Sequence, residues 1–142
     1  MTISLAPGGC ESVTSLADTN TSGTLRYALG QANNSASINS IIISSATTGT
    51  ITLTSNLPDI TQSVEIHGTG RDTTTIDGNS LYRAITNTTN GITITVKDLT
   101  FTRGKNEQGG IVNTSNSSTP TTFNITNVKF NNSSGTAWFS TV

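Results

Sequence analysis

One stretch of this chain carries a helical period, Gly23-Thr24-Leu25-Arg26-Tyr27-Ala28-Leu29-Gly30-Gln31-Ala32-Asn33, and nothing after Ala36 repeats it. Leu25, Ala28, Leu29 and Ala32 recur at the spacing that places side chains on one helical face. Ser22 reads as the N-cap, and Asn33-Asn34-Ser35 ends the segment. Beyond it lie Ile41-Ile42-Ile43, Thr50-Ile51-Thr52-Leu53-Thr54, Val64-Glu65-Ile66 and Thr74-Thr75-Ile76-Asp77-Gly78, runs too short and too β-branched for helices. A lone amphipathic helix ahead of many brief strands predicts a coil of β-rungs. Leu25, Ala28, Leu29 and Ala32 are then the structural cap over its first rung.

An internal repeat supports the coil. Val96-Lys97-Asp98-Leu99-Thr100-Phe101-Thr102-Arg103-Gly104 aligns with Ile125-Thr126-Asn127-Val128-Lys129-Phe130-Asn131-Asn132-Ser133 at a period of about thirty residues, within the range of solenoids. Val64-Glu65-Ile66-His67-Gly68 starts the same unit one period upstream. Leu81-Tyr82-Arg83-Ala84-Ile85 and Gly110-Ile111-Val112 supply other faces, and Gly68, Gly78, Asn87 and Gly104 supply turns. The expectation is an all-β parallel solenoid of roughly four or five turns, running from about residue 38 onward with Ile, Val, Leu and Phe stacked inside. Residues 1–22 form an N-terminal strand and lead-in, and 23–142 form the capped solenoid, together one domain. A β-sandwich with irregular strand spacing is the alternative.

Composition narrows the setting. Only 11% of the 142 residues are charged, and Ser, Thr, Asn and Gly fill much of the surface. The seven Lys and Arg are scattered singly, so no basic stripe follows a phosphate backbone and nucleic acid is not an expected partner. Cys10 is the one cysteine, so no internal disulfide forms; its plain reading is a small thiol near a terminus. No run is long enough for a membrane helix, so no membrane insertion is expected. Met1 to Gly9 lacks the basic and apolar parts of a signal peptide. Glycosylation sequons abound, among them Asn20-Thr21-Ser22, Asn33-Asn34-Ser35, Asn87-Thr88-Thr89 and Asn124-Ile125-Thr126. In a chain this rich in Asn, Ser and Thr they arise by composition alone.

The order of Gly23-Thr24-Leu25-Arg26-Tyr27-Ala28, Ile41-Ile42-Ile43, Ile51-Thr52-Leu53, Leu57-Pro58, Val64-Glu65-Ile66-His67-Gly68 and Thr75-Ile76-Asp77-Gly78 resembles the start of right-handed parallel β-helix proteins of the pectin-lyase-like superfamily. It is similar to the leading segment of surface adhesins and polymorphic outer-membrane-protein-like passengers. It also resembles plant-type pectate lyases, which open with a Gly-Thr-Leu-Arg helix. The likeness covers roughly residues 20 to 135. Tyr27 stands where the adhesin helix usually has an acid, and Thr24 where it often has cysteine or serine. The resemblance implies a right-handed parallel β-helix fold, an extracellular or cell-surface location and either an adhesive or a polysaccharide-cleaving role.

A lyase of that kind needs grouped carboxylates for calcium and an arginine to take the proton alpha to a uronate. Asp59, Glu65, Asp72, Asp77, Asp98 and Glu107 stand apart in the sequence, and only stacking could gather Arg71, Arg83 and Arg103. Asp72 and Asp77 are weak metal candidates, since Asp near Gly is a routine turn signature. His67 is the single histidine, and no Gly-x-Ser-x-Gly elbow singles out a serine. Neither catalytic residues nor a cofactor is expected. A glycan partner would have to stack on Tyr27, Tyr82 or Trp138, which are not grouped.

Thr50-Ile51-Thr52, Thr93-Ile94-Thr95 and Thr100-Phe101-Thr102 resemble the Thr-x-Thr pairs of ice-binding solenoids, at intervals read as unequal and broken at Lys129. β-propensity explains the same pattern. The remaining reading is a structural or adhesive module. Its partner is a second copy, associating end to end into a fibre, or the rest of a longer surface protein. Ile3, Leu5, Trp138, Phe139 and Val142 are the self-association candidates, with Met1 to Ala6 a spare strand before a Pro7-Gly8-Gly9 hinge.

Overall fold

The computed structural model describes residues 9–105, 111–113, 118–131 and 139–141. Its elements are β1 (Gly9–Val13), α1 (Leu25–Asn34), β2 (Ile38–Ile43), β3 (Gly49–Thr52), β4 (Val64–His67), β5 (Thr74–Asp77), β6 (Ile85–Asn87), β7 (Thr93–Thr102), β8 (Ile111–Asn113), β9 (Thr122–Asn131) and β10 (Phe139–Thr141). All paired strands run parallel, which makes a β-solenoid of about four turns. On one face the order is β1-β2-β4-β7 with β9 beyond. On the second, β3 and β5 lead to the same β7, and β10-β8-β6 form the third.

The repeat fixes the register. Val96 pairs with Ile125, Leu99 with Val128 and Phe101 with Phe130. Side chains alternate along a strand, so matching rungs stack like on like. Ile41, Ile66 and Val96 form one interior column, and Ile51, Ile76 and Phe101 another, all buried. Phe101 and Phe130 stack with ring centroids 5.7 Å apart and planes 15° from parallel.

β7 and β9 turn a corner without breaking. Asp98 (φ 58°) and Asn127 (φ 52°) stand at the bend, between the pairs Lys97–Thr126 and Leu99–Val128. Asp and Asn tolerate the left-handed conformation better than other side chains. The Asn127 amide donates to the Asp98 carboxylate at 2.7 Å, tying one bend to the next. In the preceding turn Gly68 passes close under the Asp98 carbonyl, and its N–H donates to Lys97 O at 2.8 Å. A Cβ there would meet backbone.

The N-terminal end is closed by α1, which buries Leu25, Ala28, Leu29 and Ala32 in the common core against β1 and β2. Its N-cap is Thr24 rather than Ser22: the Thr24 hydroxyl accepts from Tyr27 N, and Ser35 ends the helix. Thr24 takes the role because its extended φ/ψ points its oxygen at the free N–H groups of the first turn. β1 also lies where the sequence suggested only a hinge and lead-in; it pairs with β2, placing Val13 beside Ile43.

Candidate functional site

The outer surface of the first face carries two rows running across the rungs, polar except at Ile42. Ser40, Glu65, Thr95 and Asn124 share one register position, and Ile42, His67, Lys97 and Thr126 another. Stacking brings Glu65 against Lys97, a juxtaposition of opposite charges from successive rungs. Glu65 Oε1 accepts from Lys97 Nζ at 2.6 Å and lies 2.7 Å from His67 Nε2. The Lys97 hydrogen bond holds the Glu65 carboxyl below the usual range despite the opposing effect of burial, and the charges of His67 and Lys97 add to it. Beside the cluster a shallow open groove of ≈ 220 Å³ is lined by Asn39, Ser63, Val64, Glu65, Thr93 and Thr95.

On the second face Asp77 is buried. Arg103, from the next rung, grips it with two donors, Nε to Oδ1 at 2.9 Å and Nη2 to Oδ2, and Asn79 N donates to Oδ1 at 2.8 Å. Burial alone would raise the Asp77 pKa; the Arg103 hydrogen bond, the Asn79 amide and the guanidinium charge outweigh it, and the net direction is down. Asp72 sits apart on the exposed loop after Gly70, so the two weak metal candidates do not converge. Among the described residues no three His, Cys, Asp or Glu side chains gather to hold a metal ion. The three arginines separate too. Arg71 is exposed and accepts at its carbonyl from Thr100 Oγ1, Arg83 N donates to Asn56 Oδ1 at 2.9 Å, and Arg103 belongs to Asp77.

The Thr-x-Thr pairs stand at unequal intervals, yet single threonines stack in register. Thr50, Thr75 and Thr100 are direct neighbours in successive rungs. The row is not a flat open plane, however. Thr100 is only 5% exposed under the Arg71 carbonyl, Asp77 replaces threonine in the companion row of Thr52 and Thr102, and Lys129 ends the first.

Sequence reasoning missed the tie between α1 and the rung beneath it. Arg26 donates through Nε and Nη2 to both Asp18 oxygens at 2.9 and 2.7 Å, and through Nη1 and Nη2 to the Asn56 and Ser55 carbonyls. Thr54 completes the shell, its N–H donating to Asp18 Oδ2 at 2.6 Å and its hydroxyl at 3.0 Å. The Asp18 side chain is 1% exposed and that of Arg26 14%. Burial would raise the Asp18 pKa, but the Arg26 and Thr54 hydrogen bonds win and lower it. The signal was an arginine in the first helical turn, but nothing local points it to Asp18. Asn87 was also read only as a turn residue. It is fully buried, its amide donating to Thr89 O and Thr121 Oγ1 while its own oxygen accepts from Thr89 N.

Of the self-association candidates, Phe139 opens β10 at the register position of Ile111 and Ile85. Ile3, Leu5, Trp138 and Val142 lie outside the described residues. Among the described residues the outermost rung of the two long faces is β9, whose Ile125 and Phe130 are 39% and 38% exposed, against 0% and 1% for Val96 and Phe101 beneath them. No protein-family model, curated protein or solved structure matches the chain.

Proposed function

We propose that this chain is a non-catalytic structural or adhesive β-solenoid module of an extracellular or cell-surface protein, in the manner of the pectin-lyase-like β-helices its opening resembles. One observation carries the reading: carboxylates that would otherwise be free for chemistry are spent bolting one rung to another. Asp18 holds Arg26 and Thr54, Glu65 holds Lys97, Asp77 holds Arg103, and Asp98 holds Asn127. Paired in this way Asp18, Glu65 and Asp77 favour the ionised, hydrogen-bonded state, which suits a scaffold and not a titrating acid or base. A surface of hydroxyls and amides with few charges supports exposure to solvent outside the cell. The lyase alternative would need a carboxylate cluster beside a free arginine. The ice-binding alternative would need the threonine row uncovered, and Thr100 is not.

The test is incubation of the protein with polygalacturonate and calcium, following the absorbance of unsaturated product. No turnover is expected. Steady turnover that disappears on replacing Arg71 or Arg83 would overturn the proposal.

A further inference from the structure

The groove beside Glu65 is lined by polar atoms that the scaffold leaves unused. Its walls come from three successive rungs: Asn39 on β2, Ser63 to Glu65 at the start of β4, and Thr93 and Thr95 on β7. Among the described residues the Asn39 amide and the Thr93 hydroxyl make no hydrogen bond. Glu65 meets His67 and Lys97 through Oε1 alone, which leaves Oε2 to accept. Ser63 Oγ accepts from Thr93 N at 3.0 Å and keeps its own proton to donate, and Thr95 Oγ1 receives only a long 3.5 Å contact from Asn124.

These atoms select among ligands. A hard cation takes several carboxylate and carbonyl oxygens, and Glu65 is the one acid in the lining. An anion would meet that carboxylate, while Lys97 is engaged with Oε1 and does not line the groove. An apolar ligand would find only Val64, 4% exposed, and would strip water from amide and hydroxyl groups without replacing it. A neutral ligand with several hydroxyls satisfies every group, because each hydroxyl both donates and accepts. Glu65 and Thr95 stand in register on adjacent rungs, about 4.8 Å apart, close to the separation of alternate equatorial hydroxyls on a six-membered sugar ring. The volume of ≈ 220 Å³ falls below the roughly 300 Å³ at which drug-sized pockets begin, and suits a single ring. Neither Tyr27 nor Tyr82 lines the groove, so hydrogen bonds hold the ring in place of stacking, with the strongest at the ionised Oε2.

We infer that this groove binds one neutral sugar residue and makes the first face the adhesive surface of the module. The inference rests on the adhesive form of the proposed role and names its ligand class.

The experiment is an NMR titration of the isotope-labelled full chain with the methyl glycosides of glucose, galactose, mannose and N-acetylglucosamine, and with galacturonate as the charged comparator. At least one neutral glycoside should shift the amide signals of Ser63 to Glu65 and Thr93 to Thr95 and saturate at millimolar concentration. Galacturonate should bind about tenfold more weakly, since its carboxylate faces that of Glu65. Thr95→Val removes one hydroxyl at nearly constant shape and should weaken binding by about tenfold. Thr126→Val, in the other outward row, should leave it unchanged. Signals unmoved by every glycoside, shifts centred elsewhere, tighter binding of galacturonate or equal weakening by the two variants each overturns the inference. The titration of the unaltered chain decides even if a variant does not fold. Failure here leaves the scaffold role intact, since that role fails on turnover of polygalacturonate, which this titration does not measure.

Discussion

Replacing Asp18 by Asn tests whether the tie between α1 and the rung beneath it holds the N-terminal end. The exchange keeps the shape of the side chain and removes its charge. Breaking a buried ion pair by removing one partner costs about 3–5 kcal/mol. Here Arg26 keeps the Ser55 and Asn56 carbonyls, and the Asn oxygen still accepts one hydrogen bond. The expected loss is therefore about 2–3 kcal/mol, close to that of one or two charge-assisted hydrogen bonds. In thermal melting this amounts to a drop of roughly 3–4 °C per kcal/mol for a domain of this size. pH provides the control. The folded Asp18 pKa lies below its ordinary value, so its contribution is present above about 3.9, the unfolded value, and is lost as pH falls through the folded pKa. Urea denaturation of the two proteins, followed by circular dichroism, should show the full difference at neutral pH. The gap should close in acid, where the wild-type carboxyl is also neutral. Equal stabilities at pH 7, or a gap that stays constant into acid, would refute the reasoning.

Two further substitutions test the packing. Leu25→Asp puts a carboxylate at a fully buried position in the first turn of α1. The helix dipole favours an acid there by about 0.3–1 kcal/mol. Burying the charge outweighs this, and a net loss of roughly 2–4 kcal/mol in chemical denaturation is expected; unchanged melting would mean α1 does not close the core. Gly68→Ala introduces a Cβ 2.8 Å from Leu99 Cβ and 2.9 Å from the Asp98 carbonyl carbon. Backbone cannot step aside as a flexible side chain can, so a loss of about 1–3 kcal/mol is expected by the same assay. A neutral result would show that the rungs are free to spread at this bend.

The repeat was legible because a solenoid writes its tertiary contacts into its sequence. When rungs stack like on like, Val96-Lys97-Asp98-Leu99 and Ile125-Thr126-Asn127-Val128 must match, and the match predicts the observed register. β1 escaped notice because Gly9-Cys10-Glu11-Ser12-Val13 has no strand pattern of its own and becomes a strand only through pairing with β2. The stacking of Thr50, Thr75 and Thr100 escaped the Thr-x-Thr pattern because Thr75 is followed by Ile76-Asp77 and forms no such pair.

By itself, then, the order of residues determined the helix face of Leu25, Ala28, Leu29 and Ala32, the alternation of the strands and the period of the coil. These are local or periodic properties, set by side-chain spacing against a fixed backbone repeat. The tertiary structure alone decided that Asp18 pairs with Arg26 and Asp77 with Arg103, partners that the alignment of rungs does not bring together. Their distances depend on how the lead-in and the loops fold, and those obey no period. It also decided that Val96 and Phe101 are buried while their β9 counterparts Ile125 and Phe130 are more than a third exposed, because burial depends on the neighbouring rungs and not on a rung's own residues.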